Sequence, residues 1–238
     1  MKNDTETVSL GEIGFYVTRA GVGVGLPFGI AEDFANAVIW AQRTGIDLAR
    51  VAFDCLNALD TNPASGRVSF ARQGSAQVFT GQSGLSAIFA GPALADFWQL
   101  PVDDDCTLIA KNVDHPILIV GAMATAKAGP AILEWQNVSV HIASDGTAEL
   151  AATNSMALES AGFFEVLIRE PKNEKNALRI YNRSAPDLDK ESRRAIQQGI
   201  SVNKDAWEGL VALFRRCLVP SSAQSRTAGA GAGLVETD

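Results

Sequence analysis

The sequence predicts an α+β protein with an N-terminal helical segment, a central, mainly antiparallel sheet with hairpins, and C-terminal helices followed by a Gly/Ala-rich tail. Residues 1–60 hold apolar side chains at helical spacing, residues 67–185 hold several strand and hairpin signals in succession, and residues 186–220 are helical again. Residues 221–238 form the tail. Because no internal repeat or long linker interrupts the 238 residues, we expect a single domain over 1–238.

The N-terminal helices are predicted from a capping box and from apolar stripes. Ser9 and Glu12 form the S-x-x-E pattern in which each side chain accepts a hydrogen bond from the other residue's backbone N–H. This first helix is expected to end near Gly21. A second helix is expected to start around Gly29, and a third to run from about Asp47 to Leu59.

Strands and a broken helix are predicted for the middle of the chain. Val68–Phe79 is a strand candidate interrupted by a glycine, and Leu85–Leu100 is a helix candidate broken by a Gly-Pro pair. Cys106–Lys111 and Ile117–Ala124 are both predicted as strands. The second of these has few polar residues, so we expect it to be central in the sheet.

Two hairpins are predicted after these strands. Val138–Ile142 alternates polar and apolar residues, Asp145-Gly146 is a favoured type I′ turn pair, and Ala148–Ala152 can return as the partner strand. Phe163–Arg169 and Ala177–Arg183 are predicted to pair around a polar loop. Consecutive antiparallel strands favour an α+β fold over a βαβ repeat.

Two helices are predicted before the tail. Asp187–Gln198 is a polar helix, and Asn203 is the predicted N-cap of the helix that follows. This last helix has the clearest amphipathic pattern in the chain. Its apolar residues recur at i, i+3, i+4, i+7 and i+11 and are Trp207, Leu210, Val211, Phe214 and Leu218.

Composition argues against several classes of protein. The net charge is −7, so the chain has no general attraction to phosphate backbones. Three widely spaced cysteines do not form a disulfide framework, and the polar start is unlike a signal peptide. The longest apolar stretch, Pro116–Ala126, is too short to cross a bilayer. We expect a soluble, cytoplasmic protein that binds neither nucleic acid nor membrane.

The glycine joint, residues 21–27, is the first candidate binding element. Gly23 and Gly25 could let backbone N–H groups approach a phosphate, beside Glu32 and Asp33 in the predicted first turn of the second helix. However, a helix precedes the joint, and the spacing is not that of a dinucleotide fingerprint. The alternative is a helix–helix connection that uses positive φ at glycine, with both acids complementing the helix dipole.

The tail is the second candidate binding element, because its small residues allow close approach of a ligand or a partner chain. Arg226 could hold a carboxylate or a phosphate through two parallel hydrogen bonds. The alternative is a disordered terminus, which is common so near a chain end. The ligand-binding residues predicted here are Ser225, Arg226, Gly229, Gly231 and Gly233.

Few residues are candidates for proton transfer. His115 is the better of the two histidines, because Asp114 or another acid could orient it as a general base. Its alternative role is that of a strand-edge residue bonded to backbone. Glu32 is the second candidate, whereas His141 is expected to face solvent. Neither histidine has the spacing of metal ligands, so no metal site is predicted, and the sequence assigns no cofactor.

Several segments resemble a family of bacterial proteins catalogued as domain-of-unknown-function family 3726. They are residues 9–13, the glycine joint, residues 29–40, residues 219–221, Ser225-Arg226, and the Gly229–Leu234 run with Glu236 and Asp238 after it. Because these segments lie at opposite ends, the resemblance covers nearly the whole chain, although the family's tail is usually more acidic after the leucine. The resemblance implies no reaction. The helical start also faintly resembles the N-terminal helices of malate/L-lactate dehydrogenases of the type that lacks a Rossmann fold.

The candidates support two functions. The first is an enzyme or binding protein for a small carboxylated metabolite, with its pocket between the N-terminal helices and the sheet. Arg226 would bind the carboxylate, and Glu32 or His115 would transfer protons. The alternative is a non-catalytic accessory or oligomerising subunit of a metabolic enzyme, which would dock onto another subunit or a second copy through the tail and the last helix.

Overall fold

Helices lie before and after a central group of strands in the computed structural model of the protein. The structure describes four stretches of the chain, which are residues 4–100, 107–152, 162–171 and 188–218. The elements follow in the order β1, α1–α3, β2, β3, α4, β4, α5, β5–β8, α6, β9 and α7. This order confirms the predicted α+β fold class.

The predicted helix caps are present. Ser9 N donates to Glu12 Oε2 at 2.8 Å and Glu12 N donates to Ser9 Oγ at 3.1 Å, so the capping box forms. Asn203 Oδ1 accepts from Ala206 N at 3.0 Å at the start of the last helix. The helices are α1 (Leu10–Gly23), α2 (Phe28–Arg43), α3 (Ala49–Thr61), α4 (Ala87–Trp98), α5 (Ile117–Thr125), α6 (Leu188–Gln198) and α7 (Lys204–Arg215).

Seven of the described strands form one mixed sheet in the order β2-β3-β4-β8-β5-β6-β7. Among these pairs only β3–β4 is parallel. The predicted hairpin around Asp145-Gly146 is β6–β7, with Val138 opposite Ala152. The strands of this sheet are β2 (Val68–Gln73), β3 (Ala76–Gly81), β4 (Thr107–Val113), β5 (Ala131–Trp135), β6 (Val138–Ile142), β7 (Ala148–Ala152) and β8 (Phe164–Arg169).

A separate two-stranded sheet joins the start of the described chain to the strand before the last helix. β1 (Thr5–Val8) runs antiparallel to β9 (Ile200–Asn203), with Thr5 opposite Asn203. The sequence does not predict these strands, because each has only four residues. Next to this sheet α7 packs against α1 and α3. Its apolar residues Trp207 and Leu210 are buried in the protein's own core.

The middle of the chain corrects three predictions. The apolar run expected as a central strand is the helix α5, because a continuous buried run does not by itself distinguish a strand from a buried helix. Helix α4 continues through Pro92 instead of breaking there. The single strand candidate 68–79 is a hairpin with Gly74 in its turn. The partner predicted for β8, residues 177–183, lies outside the described residues.

Helix α5 lies at the centre of the helical layer. Its residues from Ile117 to Ala124 are all buried, and the helix packs against both α2 and α4. Where α2 and α5 cross, the backbones touch: a Cβ atom on Gly121 would lie 2.8 Å from the Ala37 carbonyl oxygen. In the described stretches of the chain, we find no helix with the length and apolar character needed to span a membrane.

Candidate functional site

Two helices begin side by side at one edge of the sheet. The parallel strands β3 and β4 end at Gly81 and Val113, and α4 and α5 start a few residues beyond them. The loop between β3 and α4 is tied to the end of β4, because Leu85 N donates to Asn112 O at 2.8 Å. Helix starts carry partial positive charge, and ligands of α/β sheets often bind beyond the carboxyl ends of parallel strands. This edge is therefore a candidate ligand site.

Asp114 holds the two helix starts together. Its Oδ1 accepts from Ala87 N at 2.8 Å and from His115 N at 2.7 Å, so it caps α4 from the neighbouring segment. Burial raises the pKa of Asp114, while the N–H groups of Ala87 and His115, the charge of His115 and the Ser86 side chain oppose the shift. The sequence suggested that Asp114 could orient the His115 ring, but the carboxylate bonds the backbone N–H of His115 instead.

His115 and Ser86 carry buried polar atoms without a hydrogen-bond partner. His115 is only 6% exposed and Ser86 only 1%. His115 Nδ1 has no hydrogen-bond partner, and Ser86 Oγ makes no hydrogen bond of good geometry, although the Ser86 side chain lies near enough to Asp114 to lower the pKa of that carboxyl. Burial lowers the pKa of His115, against the opposing charges of Asp114 and Asp54, so the ring is neutral at neutral pH. Unpaired buried polar atoms are costly, and two at adjoining helix starts call for a ligand or water. We define Ser86, Asp114 and His115 as the β3/β4 site.

Residues of α3 complete the surroundings of this site. Asp54, which is half-buried, influences the pKa of both His115 and Cys55. Burial raises the pKa of the Cys55 thiol, which argues against a role as a nucleophile. Ser86 and Asp54 are not among the residues singled out from the sequence, because neither lies in a motif. Their closeness to His115 depends on the topology of the fold.

The structure does not bring Glu32 and His115 together. Glu32 lies on the exposed side of α2, in its second turn rather than its first, and His115 precedes α5. Helices α2 and α5 cross near Ala37 and Gly121. Asp33, next to Glu32, lines the same cavity as Thr125 near the end of α5. Glu32 therefore lies on one side of the crossing, and His115, before the start of α5, lies on the other. With 1.5 Å per residue, about 16 Å of helix length separates the two residues.

The glycine joint packs against the last helix. A Cβ atom on Gly23 would overlap the Leu213 carbonyl oxygen, so this glycine lets α1 and α7 approach closely. Gly25 follows in a turn with a φ of 90°, and Leu26 N donates to Gly21 O at 3.0 Å. These contacts describe the joint as a connection between helices, and the side of Gly23 that faces α7 has no room for a nucleotide's phosphates.

The predicted binding residues of the tail lie outside the described residues. They are Ser225, Arg226, Gly229, Gly231 and Gly233. His141 is half-buried rather than facing solvent, and its Nε2 is buried without a partner. No group of three or more histidine, cysteine or acidic side chains that could hold a metal ion occurs in the described stretches.

An acidic cavity lies at the other end of α5 from His115. It has a volume of about 230 Å³ between α2, α4 and α5, and Asp33 and Asp96 are the charged residues of its wall. Burial, and then the charge of Asp96, raises the pKa of Asp33. The two like charges therefore repel each other near neutral pH.

Relief of this repulsion is expected to stabilise the protein slightly. A group with a raised pKa loses its contribution to stability as the pH rises through that pKa, so Asp33→Asn should increase the free energy of unfolding at pH 7. Both carboxylates are exposed, so we expect no more than about 0.5 kcal/mol in urea denaturation. Asp60→Asn is the control: Asp60 lies 2.8 Å from Arg216, so its replacement should not stabilise. Destabilisation by Asp33→Asn at pH 7 would contradict the assignment.

The fold resembles that of solved dehydrogenase structures, among them malate dehydrogenases. A dehydrogenase from Sinorhizobium meliloti aligns with a TM-score of 0.60 at 12% identity, over 89% of this chain and 100% of its own. Malate dehydrogenase from Pyrococcus horikoshii aligns with a TM-score of 0.58 at 10% identity, over 93% of this chain and 98% of its own. A putative malate/lactate dehydrogenase from E. coli aligns with a TM-score of 0.58 at 9% identity, over 94% of this chain and 98% of its own. Identities this low establish a likeness of fold alone.

The N-terminal segment has a closer match. Residues 8–54 match the model of a family described as protein of unknown function, DUF3726. This match confirms, over these residues, the resemblance predicted from the sequence. No curated protein matches the chain.

Proposed function

We propose that the protein binds a small carboxylated metabolite at the β3/β4 site and that His115 transfers a proton there. The observation that carries the proposal is the pair of unpaired, buried polar atoms, Ser86 Oγ and His115 Nδ1, at the point where α4 and α5 begin. Fewer than a tenth of buried polar groups lack partners in native proteins. A pair of them at one sheet edge favours a site completed by a ligand.

The polarity of the site supports an acceptor ligand. The Ser86 hydroxyl can donate a hydrogen bond, and so can the neutral His115 ring when Nδ1 carries its proton. The Asp114 carboxylate already accepts from Ala87 N at the start of α4, so the ligand would be held by the two side chains. A carboxylate or a carbonyl oxygen has only acceptor positions, and it would pair with both side chains.

The likeness in fold supports a catalytic role for His115. The relatives in structure include enzymes named for malate and lactate, and both of these compounds are small carboxylates. Oxidation of a hydroxyl group releases a proton, and a neutral imidazole is the ordinary base for that proton. A dehydrogenase also needs an electron acceptor, which would take the hydride. We derive no step through such an acceptor, because the Leu213 carbonyl occupies the space beside Gly23.

The accessory-subunit alternative has less support. It relied on the tail, which lies outside the described residues, and on the apolar face of α7. Trp207 and Leu210 of that face are buried in the protein's own core, whereas Leu218 beyond the helix end is 54% exposed. The alternative therefore depends on the tail and on the end of this apolar face.

Ligand-dependent thermal stability tests the proposal. Malate, lactate, pyruvate and succinate are added to the full chain and to the variants Ser86→Ala and His115→Gln, which lack polar atoms at the Oγ and Nδ1 positions. A ligand at 100 times its Kd stabilises the native state by about 2.7 kcal/mol, so we expect a rise in Tm of about 5 °C in the unsubstituted protein. Both variants should lose most of this rise.

His141→Gln is the matched control, because His141 is the other histidine with an unpaired buried nitrogen. Its rise in Tm should equal that of the unsubstituted protein. If a carboxylate that is bound is also turned over, His115→Gln should lower kcat by about 100- to 10,000-fold. Equal rises in Tm for the unsubstituted protein and His115→Gln, or no rise with any carboxylate, would refute the proposal.

A further inference from the structure

Phe163 lies next to the strand that pairs with the end of β4. Strand β8 pairs antiparallel with β4, with Phe164 opposite Val113 as the last pair, and Val113 lies two residues before His115. Phe164 fills the core at 6% exposed, whereas Phe163 is 69% exposed. One of two consecutive phenylalanines is therefore packed, and the other faces outward.

Gly84 holds the ring of Phe163 against the loop that leads to Ser86. A Cβ atom on Gly84 would lie 2.7 Å from Phe163 Cε1, and the φ of Gly84 is 103°. Only glycine combines this backbone conformation with such a close approach of a ring. The ring thus contacts the segment that carries Ser86, and its own strand pairs with β4 two residues before His115.

The ring is not used in an aromatic cluster. The exposed Phe15 packs against Tyr16 and Phe214, and the exposed Phe70 packs against Phe79 and Phe97. Within the described stretches no ring contact forms with Phe163. Single exposed apolar side chains are common on proteins, so exposure alone would carry no conclusion. What distinguishes Phe163 is its position against Gly84, two residues before the buried Ser86 hydroxyl.

We propose that Phe163 stacks on a planar, unsaturated group of the ligand, so that the preferred ligand is an aromatic or conjugated carboxylate. This inference rests on the proposed function, because Ser86 and His115 would hold the carboxylate while Phe163 covers the group attached to it. Stacked aromatic pairs add affinity beyond the buried area alone, by a factor of about 2 to 10. A saturated ring of the same size gains the apolar contact without this addition.

Benzoate and cyclohexanecarboxylate test the inference, because they share a carboxylate and ring size but differ in planarity. Their Kd values are measured by calorimetry on the full chain. Benzoate is expected to bind about 2 to 10 times more tightly than cyclohexanecarboxylate. Phe163→Leu keeps an apolar side chain without a π face and should remove the preference, whereas Phe163→Tyr should keep it. Phe70→Leu, at another exposed phenylalanine, is the control and should leave the preference unchanged.

The outcomes separate this inference from the proposed function. Equal affinity for both compounds, or the same preference in Phe163→Leu, overturns stacking on Phe163. In that case, weaker binding of both compounds to Ser86→Ala would still support the carboxylate site. If neither compound binds, stacking on Phe163 fails, and the series of malate, lactate, pyruvate and succinate decides the carboxylate site. If Ser86→Ala binds both compounds as the unsubstituted protein does, both proposals fail.

Discussion

Replacing Asp114 by alanine is expected to lower the free energy of unfolding by about 2–4 kcal/mol. The substitution leaves Ala87 N and His115 N without the acceptor that both now share. A buried donor without a partner costs about 1–3 kcal/mol, and loss of a helix N-cap costs about 0.5–2 kcal/mol. The two losses overlap at Ala87, so their full sum is not expected. Urea denaturation monitored by circular dichroism measures the difference.

Asparagine at position 114 is the control for this prediction. Both N–H groups bond to the same oxygen of Asp114, and an amide oxygen in that place can accept both bonds. Asp114→Asn should therefore stay within about 1 kcal/mol of the unsubstituted protein at pH 7. If Asp114→Ala were as stable as Asp114→Asn, the carboxylate would not be the cap of α4.

The pH dependence of the same pair of proteins gives a second measurement. Burial raises the pKa of Asp114 in the folded state. The contribution of Asp114 to the free energy of unfolding is complete below about pH 3.9, the usual pKa of an aspartate. This contribution is lost as the pH rises through the raised pKa of the folded state. From pH 4 upward, the unsubstituted protein should lose stability relative to Asp114→Asn. His115 acts in the opposite direction, because its pKa is lowered and its contribution is lost as the pH falls.

The sequence predicts the fold class well where the local signals are specific. The capping box at Ser9 and Glu12 and the hairpin around Asp145-Gly146 each depend on residues close in sequence, and both form. The run Ile117–Ala124 is different, because it is apolar all round and buried all round. Its length of eight residues suits a strand or a short helix, and only packing against α2 and α4 decides between them.

The candidate site is predicted only in part, for a related reason. His115 could be named from the sequence, because histidines are few and this one follows an acid. Ser86 could not, because its hydroxyl becomes unusual only when it is buried without a partner beside a residue 29 positions away in the chain. The parallel pairing of β3 and β4 brings them to one edge. That pairing connects segments with no shared local pattern, so sequence periodicity does not report it.

Gly121→Ala is expected to destabilise the protein by about 3 kcal/mol or more, although alanine is the better helix former. The added Cβ would lie 2.8 Å from the Ala37 carbonyl oxygen and 3.1 Å from the Ala37 Cα, which are backbone atoms that cannot turn aside. Overpacking in a core typically costs 1–3 kcal/mol, and here α2 and α5 would have to separate along their buried contact.

Gly29→Ala is the matched control within α2: a Cβ there meets nothing within 4 Å, so helix propensity should make it neutral or stabilising by up to about 1 kcal/mol. Because α5 begins directly after His115, a shift of α5 should also move the β3/β4 site. Gly121→Ala should therefore weaken carboxylate-dependent stabilisation as well, and a variant as stable as Gly29→Ala would show that the two helices do not cross at this glycine.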